Sequence, residues 1–140
     1  QFSLNSFLVE DVNQKLITLK TLNSKPTIIS FWAIWSPAGS DTIKVLSNFY
    51  NQNKDRINAI GMNYENIERE DIVEFIKTNQ ISTPVVLLND RNFQQFNNFP
   101  PINFIPTTYI FNKDGNLIEQ YVGELNHTIL SQYLLHSSHK

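Results

Sequence analysis

Apolar residues fall into two alternating kinds of segment along this chain of 140 residues. Residues 27–33 (TIISFWA) form a continuous apolar run, which is typical of a strand buried on both faces of a sheet. Residues 57–63 and 84–88 repeat this pattern. Between these runs, apolar residues recur at helical spacing; they are Ile43, Leu46, Phe49 and Tyr50 in one segment and Ile72, Phe75 and Ile76 in residues 68–78. The chain up to residue 88 is therefore predicted to fold in the order β-α-β-α-β.

The pattern changes towards the C-terminus. Residues 107–111 and 117–122 flank the sequence Asn-Lys-Asp-Gly, in which Asp-Gly supplies the positive φ that tight turns require. A β-hairpin is therefore predicted here. Asn126 is the predicted N-cap of a final helix. That helix, residues 126–136, presents the apolar residues Ile129, Leu130, Tyr133 and Leu134.

The order of these elements predicts an α/β fold with a central mixed sheet flanked by helices. We expect a single domain over residues 1–140, with its core in residues 27–136. Residues 1–22 form an N-terminal extension, for which additional strands are one alternative. A short amphipathic segment around Phe93 and Phe96 lies between the third strand and the hairpin.

Composition narrows the classes of function. Apolar residues make up 41% of the chain, which suffices for a buried core. The formal net charge of −2 gives no electrostatic reason to expect a nucleic acid or an anionic membrane as partner. No stretch approaches the roughly 20 apolar residues that span a bilayer, and a signal peptide or anchor before Gln1 is left open. The chain contains no cysteine, which excludes disulfides and thiolate metal sites, and neither a metal ion nor a cofactor is predicted.

Four local sequences resemble one family, in the order and spacing of that family. Residues 31–39 (FWAIWSPAG) resemble the active-site segment of the TlpA/ResA/DsbE-like thioredoxins, which usually reads F-W-A-x-W-C-P-x-C. Residues 104–111 (FIPTTYIF), with the turn that follows, resemble its cis-proline segment. Residues 61–64 (GMNY) resemble a strand of its DsbE branch, which serves cytochrome c maturation, and residues 122–126 (VGELN) resemble the entry to its last helix. The resemblance implies a thioredoxin-like fold with a helical insertion, in a family of thiol-disulfide oxidoreductases.

The chain departs from this family at the two residues that perform the reaction. In the family, a cysteine at a helix N-terminus attacks a substrate disulfide as thiolate, and a second cysteine three residues later releases the mixed disulfide. Ser36 and Gly39 stand at these two positions. A serine hydroxyl is not appreciably ionised near neutral pH, and glycine has no side chain. The sequence therefore predicts a redox-inactive protein.

Ser36 has two interpretations. With Pro37 it fits the N-cap and first residue of a helix, which is the interpretation we favour. A serine nucleophile would need an adjacent base. The histidines of the chain, His127, His136 and His139, are all in or beyond the last helix, which the family fold places away from Ser36. No third ligand accompanies His136 and His139, so they are poor candidates for a metal site.

Pro106 is either an ordinary proline at the start of a strand or the cis-proline of the family, and the resemblance favours the cis form. In the family, the cis-proline packs beside the active-site helix and leaves the preceding backbone, here that of Ile105, free to pair with an extended peptide. Trp35 is expected at the surface beside Ser36. The resemblance thus implies a binding surface for a peptide, made of Trp35, Ser36, Pro37, Ala38, Ile105 and Pro106.

One further residue, Glu65, has two alternative roles. Glu65 aligns with an acidic residue that handles protons below the cysteine pair in some family members. Because this chain has no thiol to serve, a solvated loop residue is an equal alternative for Glu65. Trp32 belongs to the first predicted strand and is expected in the core.

Three hypotheses for function follow. We favour a redox-inactive thioredoxin-fold protein that binds a protein or peptide partner, in the periplasm or another extracytoplasmic compartment by family analogy. The alternatives are a thiol-disulfide oxidoreductase of the cytochrome c maturation type whose cysteines were removed, and a structural scaffold subunit. Gly39 favours natural loss, because engineers usually replace cysteine by serine or alanine, and glycine within a helix costs about 1 kcal/mol relative to alanine.

Overall fold

The computed structural model describes residues 2–137, and for residues 135–137 it describes the backbone alone. The elements of this part of the chain are β1 (Leu8–Glu10), β2 (Leu16–Thr18), β3 (Thr27–Trp32), α1 (Pro37–Gln52), β4 (Asn58–Asn63), α2 (Arg69–Thr78), β5 (Val85–Leu87), α3 (Phe93–Asn98), β6 (Thr107–Phe111), β7 (Leu117–Val122) and α4 (His127–Ser137). The predicted order of strands and helices is confirmed, and the predicted bounds of the strands, of α2 and of α4 are correct to about one residue.

Five strands form one mixed sheet in the order β5-β4-β3-β6-β7. The central strand β3 pairs in parallel with β4 and antiparallel with β6. β5 is parallel to β4, and β7 is antiparallel to β6. The chain therefore leaves β3, β4, β5 and β7, and enters β6, at the same end of the sheet. We call this end the carboxyl edge; it includes residues 33–36, 64–65, 104–106 and 122–123.

Two layers cover the sheet because β3 is buried along its whole length and has side chains on both faces. α1, α2 and α4 pack on one face, around a core that contains Ile28 and Trp32. α3 and the hairpin of β1 and β2 pack on the other face, around Phe31 and Phe99. Burial in this second core raises the pKa of the Tyr109 hydroxyl above its ordinary value. The predicted α/β fold, with a mixed sheet flanked by helices, is confirmed.

The N-terminal extension forms its own two-stranded sheet and does not widen the main one. It contacts both border strands of the main sheet or the residues next to them. The Val12 amide donates to the Val85 carbonyl at 2.9 Å, on the outer side of β5. Ser3 pairs with Asn116, just before β7. Two helices, α2 and α3, lie between β4 and β6.

Polar side chains stabilise the turn between β6 and β7 and the start of α4, at the positions predicted from the sequence. Asn112 accepts hydrogen bonds from the amides of Asp114 and Asn116 through one side-chain oxygen. Gly115 has a φ of 84°, which side chains disfavour, and it completes the turn of the hairpin. Asn126 caps α4 through its side chain. The predicted hairpin turn and helix cap are thus confirmed.

Gly61 in β4 lies where two large side chains meet. A Cβ atom placed on Gly61 would lie 2.6 Å from Ile43 Cδ1 and 2.8 Å from Trp32 Nε1. Both distances are shorter than van der Waals contact. The absence of a side chain at this position therefore allows α1 and Trp32 to pack directly on the strand.

Replacing Gly61 by alanine should destabilise the protein by about 2 kcal/mol, because overpacking a filled core costs roughly 1–3 kcal/mol. Urea unfolding followed by circular dichroism measures this change. Ile43→Val, which removes the Cδ1 atom, supplies the control background. In that background Gly61→Ala should cost less, as expected for side chains in contact. An equal cost in both backgrounds would contradict the contact.

Candidate functional site

The hydroxyl of Ser36 holds the start of α1. Its Oγ accepts a hydrogen bond from the Gly39 amide at 3.1 Å, and its backbone is extended (φ −95°, ψ 115°), as an N-cap requires. Pro37 follows as the first residue of the helix. Ser36 is only 7% exposed, so its hydroxyl serves the helix and is not offered to solvent. The interpretation of Ser36 as a helix cap is confirmed.

The cis-proline segment packs against this helix start. The peptide bond between Ile105 and Pro106 is cis, as predicted. A Cβ atom placed on Gly39 would lie 3.1 Å from Ile105 Cγ2 and 3.0 Å from the Ala33 carbonyl oxygen. Gly39 thus permits a close approach of Ile105 and of the end of β3. A larger residue at this position would require its neighbours to move by a few tenths of an ångström.

The backbone of Ile105 is free beside this contact. Neither its amide nor its carbonyl makes a hydrogen bond to any residue that the structure describes. On either side the backbone is engaged: the Pro106 carbonyl accepts from the Gly123 amide at 2.9 Å, and the Phe104 carbonyl accepts from the Thr107 hydroxyl at 2.6 Å. Free backbone groups of this kind are what an added strand pairs with.

Large apolar side chains are exposed at the carboxyl edge. Trp35 is 67% exposed, Phe104 66% and Val122 51%. Trp35 therefore lies at the surface, as expected, whereas Trp32 is fully buried in the core, also as expected. Exposed large apolar side chains at one end of a sheet are candidates for an interaction site.

Glu65 contacts the loop that leads to Ser36. Its Oε2 atom accepts hydrogen bonds from the Ile34 amide and from Asn63 Nδ2, each at 2.7 Å. The side chain is half-buried. Glu65 is thus bonded to the site and is not a freely solvated loop residue. A role for it in proton transfer stays a prediction.

His127 lies far from Ser36. Its ring is 6.0 Å from that of Phe49, which is thirteen residues further along the chain than Ser36, or about 20 Å along the helix. His127 is therefore not placed to act as a base for Ser36. The side chain of His136 and the whole of His139 lie outside the described residues.

Residues 2–137 lack two kinds of feature. No group of three metal-ligating side chains occurs among these residues. No helix in this part of the chain combines the length and the apolar character needed to cross a bilayer.

A mixed five-stranded sheet with a cis-proline packed beside a helix start defines a thioredoxin-fold protein, and in this one Ser36 and Gly39 stand at the two cysteine positions. The sequence model of the AhpC/TSA family matches residues 1–120, and the chain belongs to that family. The thiol-disulfide oxidoreductase ResA of Bacillus subtilis is 26% identical to it over 132 residues, which cover 92% of this chain and 70% of ResA. The resemblance to ResA-like thiol-disulfide oxidoreductases is thereby confirmed.

Solved structures share the fold. A thiol:disulfide interchange protein of the thioredoxin family from Chlorobium tepidum superposes with a TM-score of 0.77 at 21% identity, covering 94% of this chain and 92% of that one. A secreted thiol-disulfide isomerase from Corynebacterium glutamicum has a TM-score of 0.77 at 15% identity, covering 96% and 84%. These structures confirm the predicted thioredoxin-like fold.

Three features of the site were not predicted from the sequence. Two of them are the exposed apolar residues Phe104 and Val122. Phe104 lies two residues before the cis-proline and Val122 ends a predicted strand, so the sequence could have indicated that both lie near the site. The hydrogen bond between Glu65 and Ile34 joins residues 31 positions apart. No local pattern indicates such a contact.

Replacing Ser36 by alanine should destabilise the protein by about 1 kcal/mol, because the Gly39 amide loses its acceptor. Ser36→Asp should keep most of the stability, since aspartate caps helices as well as serine does. The control is Ser40→Ala, which removes a hydroxyl bonded to the Pro37 carbonyl inside the helix. Thermal unfolding measures all three variants, and equal stability of the alanine and aspartate variants would contradict the capping role.

Proposed function

We propose that this protein binds an extended segment of another polypeptide at the carboxyl edge and does not exchange disulfides. The relatives are named as thiol-disulfide oxidoreductases, but exchange requires a thiolate, and this sequence contains no cysteine. Neither the Ser36 hydroxyl nor Gly39 can replace it. The proposed binding surface consists of Trp35, Pro37, Ala38 and Ile105. Ser36 and Pro106, which the family resemblance places in the same surface, are buried and cannot contact a partner directly.

The observation that carries the proposal is the free backbone of Ile105 among exposed apolar side chains. An extended peptide can pair with the amide and carbonyl of Ile105 as an added strand. Phe104, the preceding residue, and Trp35, at the same edge of the sheet, offer apolar contacts beside that strand. Backbone pairing accepts many sequences, whereas these side chains favour apolar ones, so the expected partner is an extended segment with apolar residues.

The packing around the cysteine positions supports the same surface. Ser36 caps α1 and Gly39 allows Ile105 to approach it, so the helix and the cis-proline segment stay adjacent without sulfur. Pro37 is exposed and Ala38 half-buried in the first turn of the helix. A bound strand could therefore contact this turn from the side of Ile105.

We infer an extracytoplasmic location for the protein. The isomerase from Corynebacterium glutamicum is described as secreted, which supports this location. The segment at residues 61–64 resembles the DsbE branch and points to cytochrome c maturation as the pathway. Cytochrome c maturation genes next to the coding sequence would support that pathway.

Binding can be measured by fluorescence anisotropy with a labelled unfolded probe, reduced and carboxymethylated lactalbumin, which has apolar segments and no free thiol. We expect Trp35→Ala to weaken binding about ten-fold, because aromatic anchors dominate such interfaces. Ile105→Asp should weaken it at least as much, because it places a charge beside the paired backbone.

The matched controls for these two variants are Leu8→Ala and Leu16→Ala, which remove exposed apolar side chains from the hairpin of β1 and β2. They should leave the affinity within about two-fold of the native value. If Trp35→Ala and Ile105→Asp bound as well as these controls, the proposed surface would be wrong and a scaffold function that uses another face would be favoured.

A reductase assay with insulin separates binding from catalysis. The native chain should show no turnover. The variant with Ser36→Cys and Gly39→Cys should gain measurable turnover, because a helix N-terminus lowers the pKa of a thiol there. Ser36→Cys alone is the control, since it lacks the second thiol that releases a mixed disulfide. Turnover by the native chain would contradict the proposal.

A further inference from the structure

The side chain of Glu65 extends the row of hydrogen bonds between β3 and β4 into the loops that follow the two strands. The paired residues of these parallel strands end with Trp32 and Asn63. The Tyr64 amide still donates to the Trp32 carbonyl at 2.8 Å. At the next step the Glu65 carboxylate takes the place of a backbone partner, because it accepts the amide of Ile34, two residues past β3. The loop after β3 is thus fixed from the loop after β4.

Two donors converge on a single oxygen of Glu65. The Ile34 amide and Asn63 Nδ2 each lie 2.7 Å from Oε2. Asn63 is fully buried, and its side-chain oxygen has no hydrogen-bond partner among the described residues. A buried acceptor without a partner is unfavourable. The bond from Nδ2 to Glu65 is therefore the polar contact that orients Asn63, and Asn63 in turn orients Glu65.

The backbone that Glu65 fixes leads directly to the most exposed aromatic ring of the carboxyl edge. Ile34 immediately precedes Trp35, whose indole is 67% exposed. An indole on a free loop would turn back onto apolar surface, because burying it is favourable. With its amide bonded to Glu65 and its side chain packed on the core, Ile34 leaves Trp35 little freedom to do so.

We propose that Glu65 is a positioning residue, which holds the Ile34 backbone so that Trp35 stays exposed and ready for a polypeptide partner. The inference rests on the proposed function of this surface. It assigns Glu65 a role as a hydrogen-bond acceptor in place of the proton-handling role that the family resemblance implies. The two roles differ in whether the side chain must ionise.

Replacing Glu65 by glutamine is the decisive test, because a single oxygen of Glu65 accepts both hydrogen bonds. In Glu65→Gln the side-chain carbonyl can accept from Ile34 and Asn63 while the amide nitrogen turns outward, yet the side chain no longer takes up or releases a proton. Glu65→Ala removes both bonds. The matched control is Asn112→Ala, because one oxygen of Asn112 also accepts two hydrogen bonds, both from backbone amides, at the end of the sheet opposite the carboxyl edge.

Hydrogen exchange of the Ile34 amide, followed by NMR, tests the bond without any partner. Glu65→Ala should speed this exchange by about 100-fold, because the amide loses its hydrogen-bond acceptor and opens locally to water. Glu65→Gln should stay within a few-fold of the native rate, and Asn112→Ala should leave it unchanged. Acrylamide quenching of tryptophan fluorescence should fall in Glu65→Ala as Trp35 becomes covered, since Trp32 is buried throughout.

Affinity for reduced and carboxymethylated lactalbumin tests the consequence for binding. Glu65→Ala should weaken binding about ten-fold, whereas Glu65→Gln and Asn112→Ala should stay within about two-fold of the native affinity.

Unchanged exchange of the Ile34 amide in Glu65→Ala would overturn the inference, and so would native affinity alongside faster exchange. A glutamine variant as weak as the alanine variant would also overturn it, in favour of a role for the charge. If the native chain failed to bind the probe, the proposed function would fail, while exchange and quenching would still decide whether Glu65 holds Trp35.

Discussion

Burial of β3 on both faces is the constraint on which the rest of the structure depends. A strand that is apolar on both faces needs a covering layer on each, and here α1, α2 and α4 supply one layer while α3 and the N-terminal hairpin supply the other. To form the first layer, the chain must turn at residues 33–36 and return across the sheet as α1. This turn places Ser36 next to the segment that enters β6, the neighbour of β3. The candidate site is therefore a consequence of how the core is covered.

Features set by neighbouring residues in the sequence could be predicted, whereas contacts between residues far apart in the sequence could not. Strands and helices with long apolar patterns were predicted almost to the residue, because their periodicity records which face is buried, and the turn before Gly115 was recognisable from its requirement for positive φ. The three-residue strands β1 and β2 are too short for their alternation to be distinctive. At the site, the positions of Trp35 and Pro106 followed from a family pattern. The bonds of Glu65 did not, because they depend on which loops the folded sheet brings together.

At this site, the groups that would perform the reaction differ from the groups that maintain the structure. In a thiol-disulfide oxidoreductase, two sulfur atoms perform the reaction, but the helix start needs only an oxygen or sulfur acceptor and room for the cis-proline segment. Ser36 supplies the acceptor, and Gly39 leaves room in which Ile105 packs against the helix. The reagents can therefore be lost while the shape of the surface is retained. The backbone groups and apolar side chains of that surface do not depend on a thiol.

The N-terminal extension has a consequence for how the protein behaves at high concentration. Strands at the border of a sheet offer unpaired backbone to other copies of a chain and so promote aggregation. The extension occupies the Val85 carbonyl on the outer side of β5 and pairs at Asn116 beside the start of β7, while its hairpin lies over the aromatic core. It thus reduces the unpaired backbone that these two border strands offer to other copies of the chain. The free backbone of Ile105 lies at the carboxyl edge, whereas Val85 and Asn116 lie at the starts of β5 and β7, the ends of these strands that are farther from that edge.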